Sequence, residues 1–145
     1  MAQAGSSLFS DAEAQHLRYS DEGWQGLGEM RDGQASRGLA DGPDIVFERP
    51  YPDSGDGNSV TLHSPSDLVI VFKEKSAPVN MDSLVVTAEK GFISLPLTSR
   101  LTPYVKGNRI VAEKLEIPEG KFVIEISVAD QQGNTTAVKY RFDVQ

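Results

Sequence analysis

Cysteine is absent from the 145-residue sequence, and histidine occurs only twice. The lack of cysteine excludes disulfide bridges, cysteine metal sites and cysteine nucleophiles, yet a chain of this length can still form one domain with its own core. Long apolar runs are also missing. The longest uninterrupted one, residues 68–72, is far shorter than the ~18–20 residues that span a bilayer. We therefore expect no membrane span.

Basic side chains are few, with 14 Lys and Arg against 21 Asp and Glu, which gives a formal charge of −7. They are scattered along the chain rather than clustered. Binding to a phosphate backbone depends on clustered Lys and Arg that release counterions. The composition therefore predicts no nucleic-acid partner.

Proline is missing before Pro43, and the same stretch has no Val or Ile but contains seven of the 13 glycines. Such a composition lacks the side chains needed for an independent core. We therefore predict two parts: a flexible or partly helical arm over residues 1–42 and a folded domain over residues 43–145.

One helix is predicted in the arm, because Ser10 and Glu13 have the spacing of a capping box. The helix should not extend past residues 19–21, since Gly23, Gly26 and Gly28 follow and each glycine in a helix interior costs about 1 kcal/mol. Its shared face would hold Phe9, Ala12, His16 and Leu17.

Further along the arm, Trp24, Leu27 and Met30 recur at every third position. Single large apolar residues in such a segment often anchor on a surface. Docking on the parent domain, disorder and capture by a partner are the three interpretations left open.

The first residues bear on localisation. Ala2-Gln3-Ala4 fits the small-x-small end of a secretory cleavage site, although no charged and apolar leader precedes it. A chain that begins near a mature amino terminus with an added Met would be periplasmic or secreted, whereas the ordinary interpretation is a common Met-Ala start.

Alternating apolar residues dominate the end of the chain. Phe122, Ile124, Ile126 and Val128 alternate with polar residues, and residues 136–144 repeat the pattern. A five-residue loop with Gly133 lies between the two runs, so we predict an antiparallel hairpin with a firm register.

Upstream, short apolar runs alternate with turn signals, which indicates a two-sheet antiparallel β-sandwich of seven or eight strands. Residues 68–72 and 84–88 are apolar on both faces, so we predict central strands that are covered on both sides. The other predicted strands cover residues 44–48, 60–63, 92–95 and 109–112.

The stretch from Ile117 to Asn134 resembles the final hairpin of bacterial immunoglobulin-like domains. It has a Pro-x-Gly turn at Pro118 to Gly120, an aromatic residue at the start of a strand, and then an Asp-x-x-Gly-Asn turn. Residues 64–72 and 81–86 are similar to the first half of that group. The resemblance implies an immunoglobulin-like sandwich over about residues 43–145 and is nearly silent on function, since this fold serves adhesion, accessory and transport roles.

Catalytic groups are hard to assemble from this sequence. His63 is followed by Ser64 and lies near Asp67, but sequence neighbours on a turn rarely align a base with a nucleophile. The other acids are dispersed over polar strand faces and loops, without the cleft that paired carboxylates need. We therefore predict that the chain is not an enzyme, and we assign no catalytic residue.

Copper carriers of bacterial copper resistance resemble this kind of sandwich, and their sites use clustered His and Met. Here the amino terminus lacks His, and Met30 and Met81 stand alone. We assign no metal ligand and no cofactor.

Calcium and glycans are the alternative ligands. Asp53, Asp56 and Asn58 lie in the glycine-rich loop 53–58, and Asp130 with Asn134 suggests a second weak site. The spacing does not match an EF-hand, and Asp, Asn and Gly are common in turns for backbone reasons. For glycans, only Tyr51 and Tyr104 are expected to be exposed aromatics.

Leu97, Leu101 and Tyr104 have the spacing of one or two helical turns that would cap one end of the sandwich. Irregular connections of this kind also carry binding surfaces. Taken together, the sequence predicts a non-catalytic extracytoplasmic binding or structural module that acts through an unknown protein partner.

Overall fold

A computed structural model describes residues 7–20, 22–23, 42–49 and 59–145. These residues form eight strands and two short helices, and every predicted strand is present with bounds shifted by a few residues. The helices are α1 (Asp11–Leu17) and α2 (Thr98–Leu101), followed by a 3₁₀ turn over Thr102–Tyr104. The strands are β1 (Asp44–Arg49), β2 (Ser59–Leu62), β3 (Ser66–Lys73), β4 (Val79–Lys90), β5 (Ile93–Pro96), β6 (Arg109–Leu115), β7 (Gly120–Asp130) and β8 (Thr135–Val144).

The strands form two sheets, one in the order β1-β3-β6 and the other in the order β2-β8-β7-β4-β5. Buried residues of both sheets belong to one hydrophobic core, which confirms the predicted all-β sandwich. β7 and β8 pair antiparallel, with Ile124 opposite Tyr140 and Ile126 opposite Val138. The predicted register of the final hairpin is confirmed, because all four of these side chains are buried.

One strand pair departs from the predicted antiparallel arrangement. β2 runs parallel to β8, with Val60 beside Phe142 and Leu62 beside Val144. Along the chain, β1 belongs to the smaller sheet, β2 to the larger sheet and β3 again to the smaller one. β2 therefore lies at the edge of the larger sheet beside β8, and the two strands run in the same direction. Alternation of side chains fixes which face of a strand is buried but carries no information on strand direction.

The prediction that β3 and β4 are covered on both faces was wrong. Both are central strands, but their burial alternates: Ile70 and Val86 face the core, whereas Val69 is only half-buried and Val85 is 49% exposed. The apolar side chains on the outer faces are β-branched valines, which suit a pleated surface without being covered.

The amino-terminal segment, residues 7–20, is packed on the sandwich. α1 has the predicted capping box, with Ser10 and Glu13 bonded reciprocally. The predicted apolar face was wrong in part: Ala12 and His16 are exposed, while Ala14 and Leu17 are buried. Docking of the residues before the helix sets its rotation, since Leu8 and Phe9 are buried in the same core.

The connection after β5 forms the predicted helical turns. Leu97 and Leu101 are buried, and Tyr104 is half-buried against the core. Thr98 ties the turn to β4, because its Oγ1 accepts a hydrogen bond from the Val86 amide at 2.8 Å. This segment closes one end of the sandwich.

Candidate surface for protein contacts

The turn between β4 and β5 exposes a phenylalanine. Lys90 pairs with Ile93, so Gly91 and Phe92 form a two-residue turn. Gly91 has a φ of +60°, which a two-residue hairpin of type II′ requires at its first central position and which glycine adopts without steric cost. Phe92 is thereby placed at the tip, fully exposed at 107%, and Ile93 behind it is 44% exposed.

A groove lies next to this hairpin tip, between α1 and β5. It has a volume of about 320 Å³ and is lined by Glu13, His16, Leu17, Ile93, Ser94 and Leu95. Ile93 belongs both to the hairpin tip and to the groove, so the two features form one continuous surface. We call this surface, with Phe92 at its end, the hairpin surface.

α1 forms one wall of the groove and is held in place by an ion pair. Arg100 binds both carboxylate oxygens of Glu13, at 2.7 and 2.8 Å, and also donates to the Leu8 carbonyl at 3.1 Å. The hydrogen bond from Arg100, together with that from the Ser10 amide, lowers the pKa of Glu13 from 4.5 to about 2. The wall is therefore fixed by a charge pair that stays ionised at neutral pH.

The backbone of β5 contributes little to this surface. β5 is the edge strand of the larger sheet, and the Leu97 amide donates to the Val86 carbonyl. By the alternation of antiparallel pairs, Ser94 and Pro96 turn their backbone groups toward the open edge, where Pro96 has no N–H to offer. A short edge of this kind disfavours strand addition, which leaves side chains as the means of contact.

Ser64 and Asp67, the neighbours of His63 that were not assigned as catalytic, bond to the backbone of other segments. The Ser64 hydroxyl accepts a hydrogen bond from the Ile117 amide at 3.0 Å. Asp67 accepts one from the Lys114 amide at 3.0 Å and lies 3.8 Å from Arg49. His63 is exposed. Each oxygen that a triad would use is engaged by another group.

Asp130 uses both of its carboxylate oxygens within its own turn. Its carboxylate accepts from the amides of Gln132 and Asn134 and from the Asn134 side chain, each at 2.9 Å. Burial alone would raise the pKa of Asp130, but these hydrogen bonds outweigh it and lower the pKa. The carboxylate therefore orders its own turn.

Two glutamates are closer together than their dispersal in the sequence suggested. Desolvation and the neighbouring Glu89 raise the pKa of Glu125 on the outer face of the larger sheet. Lys139 lies 3.2 Å from Glu89 and partly offsets this repulsion. The pair stands on an open sheet face rather than in the cleft that glycoside hydrolysis needs.

The remaining predicted candidates are spread over the molecule. Met81 is half-buried against the core, and His16 lines the groove. Within the described ranges, no group of three or more His, Asp or Glu side chains is arranged to hold a metal ion. Tyr104, expected to be exposed, is half-buried because the helical turns fold it onto the core. Lying outside the described residues are Trp24, Leu27, Met30, Tyr51 and the loop 53–58.

Sequence reasoning missed Phe92. Phe92 was predicted to be the first residue of the strand over residues 92–95, so no exposed position was expected for it. The signal that could have found it is local: a Gly in the first position of a two-residue turn places the next residue at the tip.

No family model matches the chain, and no curated protein matches it. Among solved structures, the crystal structure of CopC from Methylosinus trichosporium OB3b is similar over 71% of this chain and 93% of that chain, with 15% identity and a TM-score of 0.39. A likeness at that level carries no argument about function. Among the described residues, no helix is long and apolar enough to cross a membrane.

Proposed function

We propose that the chain is a non-catalytic binding or structural module that works outside the cytoplasm by contacting another protein. The observation that carries this proposal is the exposed Phe92 beside the apolar groove. Aromatic side chains that bury 150–250 Å² dominate the energetics of protein interfaces, and few residues account for most of the binding energy. Phe92 is not an isolated apolar residue, because it continues through Ile93 into the groove, and a contiguous apolar surface of this kind marks interaction sites.

An immunoglobulin-like classification of the sandwich is part of this proposal. It is supported by the final hairpin, whose turn and alternation follow the resemblance found in the sequence, while the parallel β2–β8 pair is a departure from a purely antiparallel sandwich. Location outside the cytoplasm is also part of this proposal, and the absence of cysteine is compatible with it because a cysteine-free chain suits either redox compartment.

Site-specific photo-cross-linking tests the proposal. A photoreactive phenylalanine analogue at position 92 is compared with the same analogue at Asn108, an exposed turn position. In the extracytoplasmic fraction of the source cells we expect one cross-linked protein from position 92 and none from position 108. Unlabelled wild-type chain should compete with it, and the Phe92→Ser variant should not. Equal cross-linking from the two positions, or equal competition, would contradict the proposal.

A further inference from the structure

The contacts of residues 7–20 reach parts of the sandwich that are far away in sequence. The Leu8 amide donates to the Glu116 carbonyl and the Tyr19 amide to the Lys121 carbonyl, both at 2.9 Å. The Phe9 ring packs edge-on against the buried Phe122 ring of β7, with 4.9 Å between the ring centroids. The two ends of the segment are thus anchored on the sandwich, and in its middle Glu13 pairs with Arg100. We call the set of sandwich residues that hold it the docking site.

The docking site is shaped for this particular segment. Gly120 has a φ of +143°, and a Cβ placed there would lie 2.5 Å from Nε of Arg18. That nitrogen donates to the Glu119 carbonyl at 2.7 Å, and Lys90 Nζ donates to the Arg18 carbonyl at 2.8 Å. A side chain at position 120 would occupy the space of the Arg18 side chain, so Gly120 allows Arg18 to pack there.

The chain between the segment and β1 is longer than the distance it has to cover. At the end of the segment, the Tyr19 amide is bonded to Lys121 at the start of β7, whereas Gly42 lies against Thr135 and Thr136 at the start of β8. These points are eight ladder positions apart along β7, roughly 27 Å at strand spacing. The chain from Tyr19 to Gly42 spans at most roughly 75 Å when extended. It is therefore long enough to place the segment in the docking site of a neighbouring molecule.

We infer that the docking site also accepts residues 7–20 of a second copy of this chain, so that two molecules exchange their amino-terminal segments reciprocally. Every contact of the segment is kept in the exchanged dimer, because the two docking sites are identical. The balance between monomer and dimer then depends on protein concentration relative to the effective concentration of the segment within one chain, which is of the order of millimolar. α1 also lines the groove of the hairpin surface, and the exchanged dimer keeps that groove because it keeps every contact of α1. The tests of the two proposals are separate, since the exchange is measured by mass and by disulfides between chains, whereas the proposed function is measured by cross-linking at position 92.

Charge reversal of the Glu13–Arg100 pair tests the exchange in the full chain. Glu13→Arg and Arg100→Glu each place like charges in the docking site when alone. A reciprocal dimer of one variant with the other restores opposite charges in both docking sites. Refolded together at about 0.5 mM, where exchange competes with closure within one chain, the two variants should give a dimer fraction about tenfold above either alone by light scattering. The double variant Glu13→Arg/Arg100→Glu restores the pair within one chain and is the control, which should give no more dimer than the wild type at the same concentration.

The result that overturns the inference is a mixture whose mass distribution equals the sum of the separate variants.

A second measurement detects exchange even where the reversed charge pair does not form. Ser7 and Glu116 are bridge partners, and the chain has no cysteine of its own. A disulfide between Ser7→Cys on one chain and Glu116→Cys on another therefore reports exchange. The Ser7→Cys and Glu116→Cys chains are mixed, refolded together and oxidised. We expect several times more disulfide between the two chains than in a mixture of Ser7→Cys with Asn108→Cys. Equal yields overturn the inference.

Discussion

The amino-terminal segment and the β7–β8 hairpin bury large side chains in the same core but are held there by different interactions. The hairpin has a continuous antiparallel ladder from Gly120 to Ala129. The segment is bonded to the sandwich through its backbone at Leu8 and Tyr19, near its two ends, and is otherwise held by a charge pair and apolar contacts. The comparison shows that one core can contain a part secured by the backbone and a part secured mainly by side chains. We expect the second to open at lower free energy.

The largest effect is expected in the hairpin. Ile126→Ala removes a fully buried side chain that pairs with Val138, and it should lower the free energy of unfolding by about 2–5 kcal/mol through lost burial and a cavity. Glu125→Ala, on the outer face, is the matched control and should change it by less than about 0.5 kcal/mol. Urea denaturation measures both. Equal losses at the two positions would contradict the register.

Phe9→Ala should show how far the segment depends on one side chain. Loss of its burial against Phe122 should cost about 3 kcal/mol, the lower end for a buried phenylalanine, because the segment can detach while the ladder remains. Ala12→Gln, at an exposed position of α1, is the control and should have little effect. In NMR spectra, Phe9→Ala should alter the amides of residues 7–20 and leave those of β8 in place. Loss of the β8 signals would contradict a separable segment.

The charge pair predicts a pH dependence that belongs to the segment alone. Because the pKa of Glu13 is lowered to about 2 in the folded chain, its ionised form stabilises the fold above about pH 4.5, and this stabilisation is lost as the pH falls toward 2. Since both side chains are about one third exposed, we expect about 1 kcal/mol.

The measurement is the difference in unfolding free energy between wild type and Glu13→Gln, which keeps the capping box. The difference should be full at pH 7 and vanish near pH 2. A difference that is the same at both pH values would contradict the role of the ion pair.

The smallest effect is expected outside both regions. Lys114 has a φ of +53° at an irregularity in β6, where its amide donates to Asp67. Lys114→Gly relieves the strain of the left-handed conformation, but glycine loses more backbone entropy on folding than lysine does. The net effect should be a stabilisation of about 0.5 kcal/mol. Glu113→Gly, at the neighbouring strand position, should destabilise it. Thermal unfolding measures both, and a loss of stability in Lys114→Gly would contradict the strain.

The same contrast explains what the sequence could predict. Ile124 and Ile126 lie within a local pattern of period two, so their strand, face and hairpin partner follow from neighbouring residues. The docking of α1 depends on Arg100, Glu116 and Lys121, about a hundred residues away, and no local pattern records such partners. The capping box was predictable because it is internal to the helix, whereas the rotation that buries Ala14 instead of Ala12 was not.

The candidate site divides in the same way. Tyr104 was expected to be exposed because it follows a proline, but the helical turns fold it onto the core. Phe92 is exposed because of a turn geometry set by Gly91, a local feature that was present in the sequence. The groove beside it forms only when α1 docks next to β5, so it could not be predicted without the long-range contacts of the segment.

Hydrogen exchange of single amides in the full chain tests the central claim, that residues 7–20 are part of the folded domain, most directly. The Leu8 and Tyr19 amides donate to the sandwich, whereas the Ala12 amide lies in the first turn of α1, where amides have no acceptor within the helix, and serves as an internal reference. We predict that Leu8 and Tyr19 exchange at least about a hundredfold more slowly than unstructured amides, and that Glu13→Gln accelerates both without affecting Ile126. Exchange of Leu8 and Tyr19 at the rate of an unstructured chain would contradict the account.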